Sequence, residues 1–207
     1  MARVNVRKAR KSYTCGGCGD AITPGTQYRW AKTRYGPKIT RCMKVECTIK
    51  QSELTGSEKL STLYAVVEGL DELKVDSYDS LEDLATDVRG FSEQVTEVAE
   101  MYRESASNIE DGFGHSTMQS EELEQKADDV ESWASEIEEA ASNIEGIEVL
   151  CNCTHSPSHH KAEAGDESTT AMICVLCKAA HDFEADDESW REEAGNFIVD
   201  ASGSIPV

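Results

Sequence analysis

Residues 80–146 read SLEDLATDVRGFSEQVTEVAEMYRESASNIEDGFGHSTMQSEELEQKADDVESWASEIEEAASNIEG. Leu81, Leu84, Val88, Phe91, Val95, Val98 and Tyr102, followed by Ser105 and Ile109, recur at alternating spacings of three and four, which places them along one seam of an α-helix. Ser80 is a good helix N-cap with Glu82 and Asp83 in the first turn, and Asp111-Gly112 is a good stop. A second helix opens on the capping-box pattern Ser116-x-x-Gln119, continues through Leu123, Ala127, Val130, Ala134, Ile137, Ala141 and Ile144, and ends at Gly146. Only Gly112-Phe113-Gly114-His115 separates the two, a length that favours antiparallel neighbours. The pattern therefore predicts an antiparallel coiled-coil helical hairpin over 80–146; two amphipathic helices of a larger bundle are the alternative it leaves open. A shorter helix over 57–74, with a stripe of Leu60, Leu63, Val67 and Leu70, makes a third member along the hairpin base and extends the helical region to 57–146.

The hairpin is acidic on both arms. Residues 80–110 carry eight acids and two bases, and 117–147 carry ten acids and one base, so facing flanks lack the Glu-Lys pairs that usually lace a coiled coil. Three explanations stand open: a solvated surface kept soluble by charge, adaptation to a saline cytosol, and an acidic face that mimics nucleic acid or docks a basic partner. Outward from the hairpin the balance reverses. Residues 1–50 hold twelve Lys and Arg against two Asp and Glu, while 51–207 hold eight against 38, so the net −20 conceals a basic head on an acidic body.

The eight cysteines fall in two groups of four, one on each side of the helices. Cys15, Cys18, Cys42 and Cys47 read CxxC then CxxxxC, a four-thiolate set of the kind that closes a tetrahedral zinc site. Gly16, Gly17 and Gly19 supply the permissive backbone that a metal knuckle needs. Between the pairs, residues 28–41 alternate aromatic or apolar with basic side chains around Tyr35-Gly36-Pro37, which predicts a β-hairpin. On Cys15-x-x-Cys18-Gly19, Ile22-x-x-Gly25-x-x-Tyr28 and Arg41-Cys42, the first ~50 residues resemble small treble-clef or zinc-ribbon modules, in particular the uncharacterised zinc-finger proteins of tailed viruses. The resemblance covers about a quarter of the chain and implies a zinc-held fold but no single function. The CxxxxC spacing makes Cys47 the least regular of the four ligands.

Cys151, Cys153, Cys174 and Cys177 read CxC then CxxC, with short apolar runs leading into each pair, and predict a second zinc site. His155, His159, His160 and His181 lie nearby; His155 and His181 are the substitutes should a cysteine not ligate. No HxE or HExxH motif accompanies either group, so both are expected to be closed structural sites and the chain not to be an enzyme. The expected architecture is thus mainly α, a coiled-coil hairpin flanked by two small β-hairpin zinc modules. A basic module spans 1–52, the helical region 57–146, the second cysteine-rich module 147–182, and an acidic tail without an evident core 183–207.

The longest apolar runs, 63–67 and 171–177, are far short of the ~20 residues of a membrane span. No apolar stretch follows the basic N-terminus, so an intracellular, reducing compartment is expected; the viral resemblance adds the virion. Arg3, Arg7, Lys8, Arg10 and Lys11 read as a flexible basic arm. Arg29, Trp30, Lys32, Arg34, Lys38 and Arg41 are the candidate nucleic-acid contacts, with Tyr28 and Tyr35 interleaved, a composition that neutralises phosphates and stacks bases. The same surface also suits an acidic protein, including another copy or the chain's own acidic half. Two functions follow as expectations. One is a zinc-binding adaptor whose head grips nucleic acid and whose hairpin and tail bind a protein partner. The other is a structural component of a larger assembly such as a virus particle.

Overall fold

A computed structural model describes residues 2–33, 36–147, 160–162, 171–174, 179–182 and 187–203, with backbone alone for 160–162, 171–174, 179–182 and 187–189. The described chain is mainly helical, with small antiparallel sheets. No described helix is long and apolar enough to cross a membrane. The chain divides into two compact units, one built mostly of Met1–Glu72 and Glu93–Ala134, the other of Leu73–Ser92 and Ser135–Ser204.

In the first unit, β1 (Asn5–Lys8), β4 (Gln27–Lys32) and β5 (Lys38–Arg41) form an antiparallel sheet in the order β1-β4-β5, and β2 (Tyr13–Thr14) pairs with β3 (Ala21–Ile22). The expected hairpin is β4–β5, with Trp30 opposite Thr40 and Lys32 opposite Lys38. Arg7 and Lys8 do not lie in a free arm. They belong to β1, where Arg7 faces Tyr28, because the Gly25 turn (φ 90°) exchanges backbone hydrogen bonds with Ala9 and brings 5–8 against β4. Two small cores flank the sheet: Ala9, Cys15, Ile22, Tyr28 and Cys47 on one side, Ala31, Ile49 and Leu54 on the other.

Helix α1 (Glu58–Glu72) buries Leu63, Val66 and Leu70, so Val66 takes the inward position expected of Val67. The head is tied to α1 by side chains. Ser52 donates its backbone N–H and hydroxyl to the Glu68 carboxylate (3.0 and 2.6 Å), Lys50 pairs with Glu72, and the Ser61 hydroxyl donates to the Ser52 carbonyl. At its other end Lys59 lies over the Tyr102 ring and donates to the Ser105 hydroxyl. The start of the third helix therefore meets residues 102–105 of the first long helix.

The long helices are α2 (Leu81–Phe113) and α3 (Met118–Glu145). Ser80 caps α2, its hydroxyl accepting from the Asp83 N–H. The helix runs through Gly112 and stops at Gly114, whose positive φ of 73° accommodates the terminal turn. The capping box of α3 lies one residue later than expected: Thr117 and Ser120 exchange hydrogen bonds between hydroxyl and backbone N–H. Within the first unit, Val95, Val98, Ala99 and Ala106 of α2 and Ser120, Ala127, Val130, Trp133 and Ala134 of α3 are buried. Arg103 pairs with Asp128 and Glu131, and the Ser120 hydroxyl donates to Glu110. Later residues of α2 thus meet earlier residues of α3, an antiparallel order.

In the second unit, Leu84, Ala85, Val88 and Ser92 of α2 and Ile137, Ala140, Ala141 and Ile144 of α3 are buried, and Arg89 bridges Glu138 (2.9 Å) and Glu145 (2.7 Å). The acidic arms therefore do form cross-helix ion pairs. Each of the two α2 arginines spans two α3 carboxylates, because a guanidinium fork can serve two acceptors where an ammonium is a single point charge. The region expected to be a coreless tail contains helix α4 (Asp187–Ser202), which buries Trp190, Ala194, Ile198 and Ala201 at helical spacing. Arg191 donates to the carbonyls of Val75 and Tyr78. β6 (His160–Ala162), β7 (Ala171–Cys174) and β8 (Ala179–Asp182) form a sheet with β7 central, Cys174 opposite His160 and His181 opposite Met172 in backbone register.

Candidate metal centre and basic face

The first cysteine group converges. The sulfurs of Cys15, Cys18, Cys42 and Cys47 all lie within 4.8 Å of one another, and all four are free thiols. Cys15 and Cys18 sit on the knuckle after β2, Cys42 follows β5, and Cys47 closes the short 3-10 turn Val45–Cys47. With a metal–sulfur bond of about 2.3 Å, a tetrahedron has sulfur–sulfur edges of about 3.8 Å. The Cys18 and Cys42 sulfurs are 3.8 Å apart. The arrangement fits a metal ion such as zinc, and it includes Cys47 despite the wide CxxxxC spacing.

The knuckle is built around the sulfur of Cys15, which accepts the N–H groups of Gly17 (3.4 Å) and Cys42 (3.3 Å). Gly19 adopts φ 77° and donates to the Cys15 carbonyl, while the Cys15 N–H donates to the Asp20 carbonyl. A Cβ on Gly17 would come to 3.3 Å from the Cys47 sulfur, so the turn is glycine partly for lack of room.

The four thiols are electrostatically unequal. Burial pushes Cys15 up, but the amides of Cys18, Cys42 and Gly17 outweigh it and bring its pKa down to about 6. Burial and the neighbouring thiols push Cys47 up to about 12. At Cys18 the Asp20 amide favours the thiolate, yet desolvation and the thiols of Cys15 and Cys42 leave its pKa raised. One thiolate is therefore provided by the protein, and a bound dication is what would ionise its neighbours.

The basic residues separate into two sets. Strand alternation puts Arg7, Tyr28, Trp30, Lys32, Lys38 and Thr40 on one face of the sheet, and Val6, Arg29, Ala31, Ile39 and Arg41 on the other. Arg29 is committed to structure: its guanidinium donates to the carbonyls of Cys42, Met43 and Lys44 and clamps the loop that carries two of the cysteines. Arg41 packs on Gly16 and Gly17 and forms an ion pair with Glu53, linking the knuckle to the segment bound to α1. Trp30, Lys32 and Lys38 remain together on the first face, and Arg7 joins them from β1. Its alternation with Asn5 across from Tyr28 is the signal that a reading of 1–11 as an arm overlooks. Arg34 and Tyr35 lie outside the described residues, as do Cys151, Cys153, Cys177, His155 and His159; of Cys174 and His181 only the backbone is described.

Comparison with protein-family profiles, with curated proteins and with solved structures finds no match for this chain.

Proposed function

We propose that the chain is a non-enzymatic zinc-binding adaptor. Cys15, Cys18, Cys42 and Cys47 hold zinc, the face bearing Arg7, Lys32 and Lys38 contacts nucleic acid, and α2 and α3 form an antiparallel coiled-coil hairpin that carries a protein partner. The observation behind the nucleic-acid reading is the collection, on one face, of cations that no carboxylate pairs with among the described residues. The ion pairs of the head use Arg41, Lys44 and Lys50, and among the described residues none uses Arg7, Lys32 or Lys38. The links from Arg41 to Glu53 and from Ser52 to Glu68 support a head fastened to α1 rather than strung from it.

The zinc-loaded chain should bind nucleic acid at low salt and lose affinity steeply as salt rises. Charge reversal by Lys32→Glu with Lys38→Glu should abolish binding. Absence of wild-type binding at low salt sinks the reading. A second zinc site at Cys151, Cys153, Cys174 and Cys177 belongs to the proposal and is counted by metal analysis: two zinc ions per chain support it, one removes it.

One feature favours a second reading, a structural component of a larger assembly. Phe113 and Met118, beside the turn between the long helices, are 68% and 78% exposed, large apolar side chains on an otherwise acidic arm. Exposed apolar groups rimmed by charge mark contact surfaces. Co-fractionation of the native chain with a large particle, lost on Phe113→Ser with Met118→Ser, would favour this reading.

A further inference from the structure

We infer that Arg7 and Lys38 form a seat for one phosphate group beside the Tyr28 hydroxyl, so that the head grips the phosphodiester backbone and leaves the bases unread. The inference rests on the nucleic-acid reading above and names what that face recognises.

Arg7 Nε and Lys38 Nζ both donate to the Tyr28 oxygen, at 2.6 and 3.2 Å. The two nitrogens are therefore no more than about 6 Å apart, close enough for the like charges to repel. Elsewhere in the head close cations are matched: Arg41 has Glu53, Lys44 has Asp20 and Lys50 has Glu72. Among the described residues no carboxylate pairs with Arg7 or Lys38. A converging cation pair with only a neutral phenol between its members lacks one thing, an anion, and the outer guanidinium nitrogens and the remaining ammonium protons are the donors left to bind it.

The pair is held in place. Arg7 comes from β1 and Lys38 from β5, the two strands that flank β4, so they reach toward Tyr28 and Trp30 from opposite sides. The Arg7 guanidinium lies 5.6 and 5.1 Å from the ring centres of Tyr28 and Trp30, and the Lys38 ammonium lies 5.2, 5.3 and 5.1 Å from those of Tyr13, Tyr28 and Trp30. Packed this way, the side chains lose less freedom when a ligand arrives.

The same packing argues against base stacking. Tyr28 is fully buried, and Tyr13 and Trp30 are only partly exposed, with cations over them. A stacking platform needs an open ring face. In this reading the aromatic rings position charge rather than stack bases.

The test uses the full zinc-loaded chain and fluorescence anisotropy over a salt series, with single strands of oligo-dT, oligo-dA and an abasic deoxyribose-phosphate strand of equal length. Affinities that agree within about threefold support the proposal; a tenfold or greater loss on the abasic strand overturns it. Arg7→Gln with Lys38→Gln should lower the slope of log K against log salt by about 0.7, the loss of one phosphate contact on a single strand. Arg7→Lys with Lys38→Arg should restore it, with zinc content and helical circular dichroism unchanged throughout. An unchanged slope in the glutamine variant overturns the seat while nucleic-acid binding stands. If the wild type binds no strand, the nucleic-acid reading fails by itself. The seat is then decided by NMR titration with tripolyphosphate: shifts at Arg7, Tyr28 and Lys38 keep it as a phosphate site, and none overturns it.

Discussion

Replacing Cys47 by serine removes one sulfur from the quartet and separates two explanations of why that sulfur is buried. Cys47 is 2% exposed and belongs to the small core with Ala9, Cys15, Ile22 and Tyr28. If it were only a packed thiol, the hydroxyl would cost about 1–3 kcal/mol of stability for a polar group buried without full compensation, and metal content would not change. If it is a ligand, the loss is larger and of another kind. Structural zinc contributes about 10–16 kcal/mol to a small domain, so each of four ligands carries about 3 kcal/mol, which raises the metal dissociation constant about 100- to 1,000-fold. Beside the ligands, the buried core of the head is Ala9, Ile22 and Tyr28 on one side of the sheet and Ala31, Ile49 and Leu54 on the other, little apolar burial to order the first 50 residues without the ion. Competition with a chromophoric chelator should therefore show weakened affinity, elemental analysis one metal fewer per chain, and limited trypsin digestion new cleavage after Arg29 and Arg41. Cys15→Ser should be worse still, because its sulfur also accepts two backbone N–H groups. Wild-type affinity and metal content in Cys47→Ser would refute the centre as described.

Metal uptake should release protons. At pH 7.5 Cys15, with its pKa near 6, is already ionised, while Cys18 and Cys47 are not, so calorimetry in buffers of different ionisation enthalpy should find their protons released. Below pH 6 the Cys15 proton joins them and the affinity should fall more steeply with falling pH. The hydrogen bond from Arg89 holds the Glu145 carboxyl below its ordinary value of 4.5. A group lowered on folding stabilises above its unfolded pKa and ceases to as pH falls through the folded one. The urea-unfolding advantage of wild type over Glu145→Gln should accordingly be constant from pH 7 to about 5 and shrink as pH falls below the ordinary value of 4.5. Trp133, 1% exposed, should cost about 3–5 kcal/mol on replacement by alanine in urea unfolding followed by circular dichroism. Gly19→Ala has open space for its Cβ but a φ of 77°, so its cost should be the backbone strain alone, about 1–2 kcal/mol, seen as a modest loss of metal affinity.

The features determined by the sequence alone are those encoded within a few residues of one another. Helical periodicity places α2 and α3, and the Ser80 cap is a local hydrogen bond. The Cys15-Gly-Gly-Cys18 turn can hold two sulfurs on one ion because its geometry is closed over four residues. Tertiary structure decided the remainder, because it depends on what packs against each element from far along the chain. Alternation in β4 and β5 says that Arg29 and Arg41 share a face and Lys38 and Trp30 share the other. That Arg29 and Arg41 are the cations spent on structure is decided by the cysteine loop reaching the Arg29 guanidinium and by Glu53 reaching Arg41. The buried face of α2 is wider than its large residues suggest: Ala85, Ser92, Ala99 and Ala106 are buried at seven-residue intervals. Small side chains carry almost no periodic hydrophobic signal, and only the close approach of neighbouring elements buries them. For the same reason the last helix reads as an acidic tail in the sequence. Its inward stripe of Trp190, Ala194, Ile198 and Ala201 is half alanine, and its burial depends on a neighbour that the local sequence does not name.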